Sequence, residues 1–268
     1  MNIFNRLFAY SPNLKQSWGL AVIFFFCQVG VGFVVGIAST IMRLVGVVTV
    51  TENLAQLAII VIGFALAALI VVYLGKGSNH EPVTPPRQSP LLWILLVPFI
   101  LSVSLAASPL SSWIPMPDVM KRIFTGLSQH NIPTILTVVV IAPVCEEWLY
   151  RGIILKGLLT HYPPLKAIVW SAVIFGVMHA NPWQAAPTFC LALAFGWIYW
   201  RTRSLRYCIF MHAANNAIAS LSTFFSDGAI DGSVTDRISG YHIYAAALLI
   251  GALTWVWIKK ILSSDFTL

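Results

Sequence analysis

Three short stretches place ionisable or strongly polar side chains at helical spacing inside otherwise apolar sequence. They are Cys145-Glu146-Glu147-Trp148-Leu149-Tyr150-Arg151-Gly152, Phe175-Gly176-Val177-Met178-His179 and His212-Ala213-Ala214-Asn215-Asn216. On a helix, Glu147 and Arg151 stand at i and i+4 and can pair. Glu146 is turned about 100° away from that pair and is not satisfied by it. Phe175 lies one turn from His179, and His212 shares a face with Asn216. Carboxylates and imidazoles move protons near neutral pH or bind metal, and a carboxamide donates hydrogen bonds. Taken singly, each motif also has a structural reading: an ion pair, a satisfied histidine, hydrogen bonding between helices. Two carboxylates, two imidazoles and a carboxamide within three neighbouring apolar stretches point to function.

The elements that carry these groups follow from composition. Of the 268 residues, 58% are hydrophobic and only 9% charged, with a mean hydropathy of +0.82. Soluble domains carry about 25% charge, so a soluble enzyme, a disordered chain and a disulfide scaffold are excluded. The long uniformly apolar runs exclude a β-barrel, whose strands alternate. The predicted fold is an all-α polytopic bundle of about eight transmembrane helices, at 17–42, 54–74, 91–108, 132–158, 165–180, 184–200, 205–225 and 241–259. The charge-free stretch 167–200 is divided in two because Asn181-Pro182 marks a turn. An interfacial helix is expected over 118–129 from the spacing of Met120, Ile123, Phe124 and Leu127. Residues 1–90 read as a two-helix membrane unit with a Pro-rich cytoplasmic linker. Residues 91–268 read as the membrane core, with the polar motifs in 132–225. The first apolar stretch is too long for a signal peptide and reads as an uncleaved helix. Cys27, Cys145, Cys190 and Cys208 fall in apolar runs without paired spacing and read as small buried hydrophobes.

The net charge of +7 does not indicate nucleic acid, because the cations lie between apolar runs and set topology there. Cytoplasmic termini put 12 Lys and Arg inside and leave Arg43, Lys121, Arg122 and Arg237 outside. The expected setting is the plasma (inner) membrane, and the lipid bilayer is the expected partner. Each ionisable group near the bilayer centre costs about 2.5–3.5 kcal/mol, so the motifs need a reason to exist. A depth argument connects two of them. The hairpin of the fourth and fifth spans turns near Tyr162, with Glu146 sixteen residues before it and His179 seventeen after it. They should lie at the same level. His212, entering from the same side, reaches that level if its helix tilts.

Glu-Glu-x-x-x-Arg, Phe-x-x-x-His and His-x-x-x-Asn, in this order on separate membrane helices, resemble the CPBP family. These are the CAAX protease and bacteriocin-processing (Abi) intramembrane proteases, which include the type II CAAX prenyl endopeptidases. The resemblance covers about residues 132–225. It implies an endopeptidase, with Glu146, Glu147, Arg151, His179, His212 and Asn216 as site residues. It implies that Glu146 is the general base, that His179 orients the same water and that His212 and Asn216 donate to the developing oxyanion. No Ser or Cys has a plausible base partner, so direct attack by water fits better than a covalent route. No cofactor is expected. The ligand types alone leave a zinc site of Glu146, His179 and His212 open, although the chain has no His-Glu-x-x-His helix. The expected substrate is a peptide or membrane protein, lipidated or not, cleaved near the cytoplasmic membrane face. Two other classes use the same polar cluster: an ion- or proton-coupled transporter, and a non-proteolytic scaffold or regulator.

Overall fold

The computed structural model describes residues 10–45, 52–74, 89–121, 132–225 and 241–264. Among them there is no strand. Eight main helices follow one another: α1 (Leu14–Leu44), α2 (Glu52–Leu74), α3 (Pro90–Ala107), α4 (Ile132–His161), α5 (Pro164–Met178), α6 (Pro182–Thr202), α7 (Leu205–Phe225) and α8 (Tyr241–Ser264). Each expected span has its helix, and 167–200 is indeed two. Among the described residues, five helices are long and apolar enough to cross a bilayer. The chain is an integral membrane protein built as an all-α bundle. Of the expected interfacial helix, 118–121 is helical, and its remainder lies outside the described residues, as do most of the Pro-rich linker and the 226–240 loop.

Local chemistry sets the boundaries. Proline opens α3, α5 and α6, where its missing N–H costs nothing. The Asn181 side chain accepts from the Trp183 N–H at 3.0 Å and caps α6. Arg203, at φ 52°, ends α6 in the left-handed conformation, with its N–H on the Tyr199 carbonyl at 2.7 Å. Ala180, at φ 50°, makes the tight turn between α5 and α6.

α6 is the hub, packing against α3, α4, α5 and α7. α8 pairs with α3 on one side, and α1 pairs with α2 on the other, where α1 also meets α5. Side chains tie the helix ends together at one face of the bundle. Ser11 Oγ meets Thr160 Oγ1 at 2.8 Å, and His161 Nε2 meets the Ser11 carbonyl at 3.2 Å. The Ser89 N–H donates to Tyr207 Oη at 3.2 Å, and Arg201 Nη2 donates to the Leu262 carbonyl at 3.2 Å. The start of α1, the α4–α5 turn, the start of α3, the α6–α7 turn and the end of α8 therefore share that face. Of the cysteines, only Cys208 is fully buried; the other three are half-buried thiols.

α4 departs from a regular helix twice. Thr137–Ile141 and Trp148–Leu155 are π-helical, on either side of the α-helical turn Ala142–Glu147. In the first stretch the Ala142 N–H bonds the Thr137 carbonyl, five residues back. The next bond in that ladder would run from residue 143 to the Val138 carbonyl, but residue 143 is proline and has no N–H. Asn216 Nδ2, on α7, supplies the missing donor at 3.0 Å. A backbone group left unpaired by Pro143 thus docks α7 against α4.

Close packing of α5 on α6 rests on a glycine. A Cβ at Gly176 would stand 2.8 Å from the Ala185 carbonyl oxygen. Gly176→Ala is expected to push the two helices apart next to His179 and lower stability by about 1–3 kcal/mol. Thermal unfolding in detergent checks this, and an unchanged midpoint would contradict it.

Candidate active site

Glu147 and Arg151 are buried to 0% and 1% exposure at the centre of the bundle. Arg151 Nη1 donates to Glu147 Oε1 at 2.8 Å, and Arg151 Nη2 donates to the Ala192 carbonyl on α6 at 3.3 Å. The guanidinium lies between two rings, 4.7 Å from the Phe175 centroid and 5.0 Å from the Phe195 centroid. Such cation–π contacts are worth about 2 kcal/mol or more when desolvated. The same Glu147 Oε1 also accepts from His212 Nδ1 at 2.9 Å. A carboxylate oxygen between two donors fixes the histidine: Nδ1 carries a proton, and Nε2 turns the other way. The His212 ring stacks on Phe195, with centroids 5.4 Å apart and planes at 25°.

Glu146 lies on the other side of this layer. Its Oε2 is 3.9 Å from His212 Nε2, and the side chain keeps 26% exposure. The two adjacent glutamates therefore divide as the helical angle predicts, one sealed in an ion pair and one open. His179, at the end of α5, receives comparable positioning. Its Nδ1 lies 2.8 Å from the Phe175 carbonyl, which can only accept, so Nε2 is left as an acceptor. The Phe175 ring meets the imidazole edge to face at 4.9 Å. Asn216 spends one N–H on Val138 and keeps the other, while Asn215 Nδ2 donates to its carbonyl oxygen at 3.3 Å.

Glu146, His179, His212 and Asn216 line one cavity of about 510 Å³. Glu147 and Arg151 stand behind its wall. The level argument for Glu146 and His179 agrees with this placement, and His212 does reach them. Spacing alone does not say which His212 nitrogen is engaged; in the structure Glu147 engages Nδ1. Phe195, which supports both His212 and Arg151, is not among the residues singled out from the sequence. The signal was present: Phe195 stands eight residues before Arg203 and His212 eight after Ser204, so the α6–α7 hairpin brings them level. His161 binds the Ser11 carbonyl far from the cavity, His242 lies on the exposed start of α8, and His80 and His130 lie outside the described residues.

The cavity occupies one half of the bundle only. Its walls come from α4 as far as Glu146, the end of α5, α6 as far as Phe195 and α7 from His212 onward. All of these point away from the α4–α5 and α6–α7 turns. The start of α1 and the end of α8 thus lie at the end of the bundle away from the cavity. The turns share a face with the start of α1, and the cavity lies on the opposite side.

Residues 128–218 match the sequence model of the Rce1-like family, described as type II CAAX prenyl endopeptidase Rce1-like. Neither a curated protein nor a solved structure matches the chain. The matched segment contains all six residues singled out from the sequence, together with both π-helical stretches of α4 and the α6–α7 turn. Over that segment the chain is similar to the Rce1-like type II CAAX prenyl endopeptidases of the CAAX protease (CPBP) family.

Proposed function

We propose that this protein is an intramembrane endopeptidase that hydrolyses a peptide bond with a water activated by Glu146 and His179. One observation carries the reading: Glu146, His179, His212 and Asn216 converge on a single cavity, while the neighbouring Glu147 is neutralised by Arg151. Glu146 takes a proton from water as the oxygen attacks the scissile carbonyl, and the His179 Nε2 lone pair orients that water. The second Asn216 N–H and the His212 imidazole, held by Glu147 through Nδ1, face the oxyanion, and Nε2 donates to it when it carries a proton. The proton on Glu146 then passes to the leaving amine, which completes hydrolysis without a covalent intermediate. The substrate is a peptide or membrane protein, with a lipidated segment admissible beside a bilayer-embedded site.

The two glutamates should fail differently. Glu146→Gln is expected to abolish turnover with little change in stability. Glu147→Ala leaves Arg151 and His212 without their buried acceptor and should cost roughly 3–5 kcal/mol of stability. Terminal-peptide profiling of membrane fractions identifies the substrate that accumulates with Glu146→Gln. Detergent melting of both variants then separates the roles, and an equal stability loss in the two would defeat the division.

Asn216 has two jobs that can be pulled apart. Asn216→Ala should lower kcat by about 10²–10³, the usual loss for one oxyanion donor. It also strands the Val138 carbonyl at about 1–3 kcal/mol. Pro143→Ala restores an N–H in register with that carbonyl, so the double variant should regain stability but not kcat. Recovery of both would show that Asn216 acts through folding alone.

The reading requires no resident metal. Among the described residues, no three His, Cys, Asp or Glu side chains are arranged to hold an ion. Elemental analysis of purified active protein should find no stoichiometric metal. One zinc per chain, lost together with activity on chelation and restored with it, would replace the glutamate mechanism with a metal one.

A further inference from the structure

The two ends of the bundle differ in charge. The face that gathers the start of α1, the α4–α5 and α6–α7 turns and the end of α8 carries Lys15, Lys156, Lys166, Arg201, Arg203, Arg206, Lys259 and Lys260. No Asp or Glu of the described residues stands there. At the other end the described residues supply Arg43 and Lys121 as cations, with Glu52 and Asp118. Eight against two is a strong bias, and Lys and Arg in short loops are retained on the cytoplasmic side.

The interior differs along the same axis. Between the Glu147–Arg151 layer and the cationic face the described bundle is solid: Ile153, Leu155, Leu158, Ile198, Tyr207 and Met211 are all 0% exposed. On the other side of that layer is the cavity. Its floor is Phe175, Phe195 and His212, all buried, and its rim includes the exposed Ile135, Gln184 and Ala219. Among the described residues, the cavity leads from the rim to Glu146, and the packed half offers no such path.

We propose that the site is served from the extracytoplasmic side of the membrane, so that its substrate is a polypeptide whose scissile bond lies outside the cytoplasmic leaflet. This rests on the protease reading for the word substrate, and on the charge bias and the packing for the direction. The lining also limits the chemistry of that polypeptide. Apart from Glu146 and the two imidazoles, its polar groups are neutral, among them Thr134, Gln184, Thr188, Asn215 and Ser220. Hydroxyls and carboxamides suit the backbone of an extended, uncharged polar segment.

The direction is testable without a known substrate. In the full-length chain, Cys27, Cys145, Cys190 and Cys208 are replaced by alanine, and single cysteines are introduced as Gln184→Cys or Ala219→Cys at the rim and Lys166→Cys at the cationic turn. Intact cells are treated with a membrane-impermeant maleimide, before and after permeabilisation. Both rim cysteines should react in intact cells, and Lys166→Cys only after permeabilisation. The two rim positions lie on different helices, so misfolding of one variant leaves the other informative. The reverse pattern would overturn the proposal. Labelling needs no turnover. If the rim labels from outside but Glu146→Gln alters no cleavage in the membrane fraction, the protease reading fails while the outward-facing cavity stands.

Discussion

A buried carboxylate with one oxygen shared between two donors organises this protein. Glu147 Oε1 accepts from both Arg151 and His212, and a charge at that depth is tolerable only when it is partnered. The partners come from different helices. Arg151 continues to the Ala192 carbonyl of α6 and lies between rings contributed by α5 and α6. His212 brings in α7. Four helices thus converge on a single ion pair whose members cannot separate without leaving a bare charge in a medium of low dielectric.

That constraint explains why two adjacent glutamates behave unlike each other. With Glu147 held inward by Arg151, helix geometry turns Glu146 toward the cavity. The histidines are prepared in the same manner, each with Nδ1 engaged by a fixed acceptor: Glu147 for His212 and the Phe175 carbonyl for His179. Fixing one nitrogen orients the other toward the cavity, and the rings of Phe175 and Phe195 restrict rotation. Such preorganisation allows a few polar groups to act together in an apolar bundle.

The same layer divides the molecule into a packed half and a hollow half. On the packed side the helices meet through aliphatic and aromatic side chains, and the ends are bound together by hydrogen bonds at the cationic face. On the hollow side α4 is loosened by a π-helical stretch around Val138, and α7 is docked to it through one amide. Widened helical turns and a proline without a donor are tolerable there because α7 supplies what the backbone lacks. Cavity and close packing are thereby assigned to opposite ends of the described bundle.

Much of this was legible from the sequence by itself. Helix number and boundaries follow from apolar run length and from Asn181-Pro182, because a bilayer leaves the backbone little choice. The division between Glu146 and Glu147 follows from 100° per residue, and the common level of Glu146 and His179 follows from counting through a tight hairpin. Counting through the α6–α7 turn would equally have paired Phe195 with His212. Tertiary structure decided the rest. The claim of Glu147 on His212 Nδ1 depends on how closely α7 approaches α4, and spacing within one helix carries no information about a neighbour. The π-helical stretches depend on hydrogen-bond register, which Pro143 disturbs but only Asn216 from another helix completes. The position of the cavity relative to the turns is a property of the assembled bundle: motifs specify the level of the polar groups, and packing on either side of that level determines where the bundle is open.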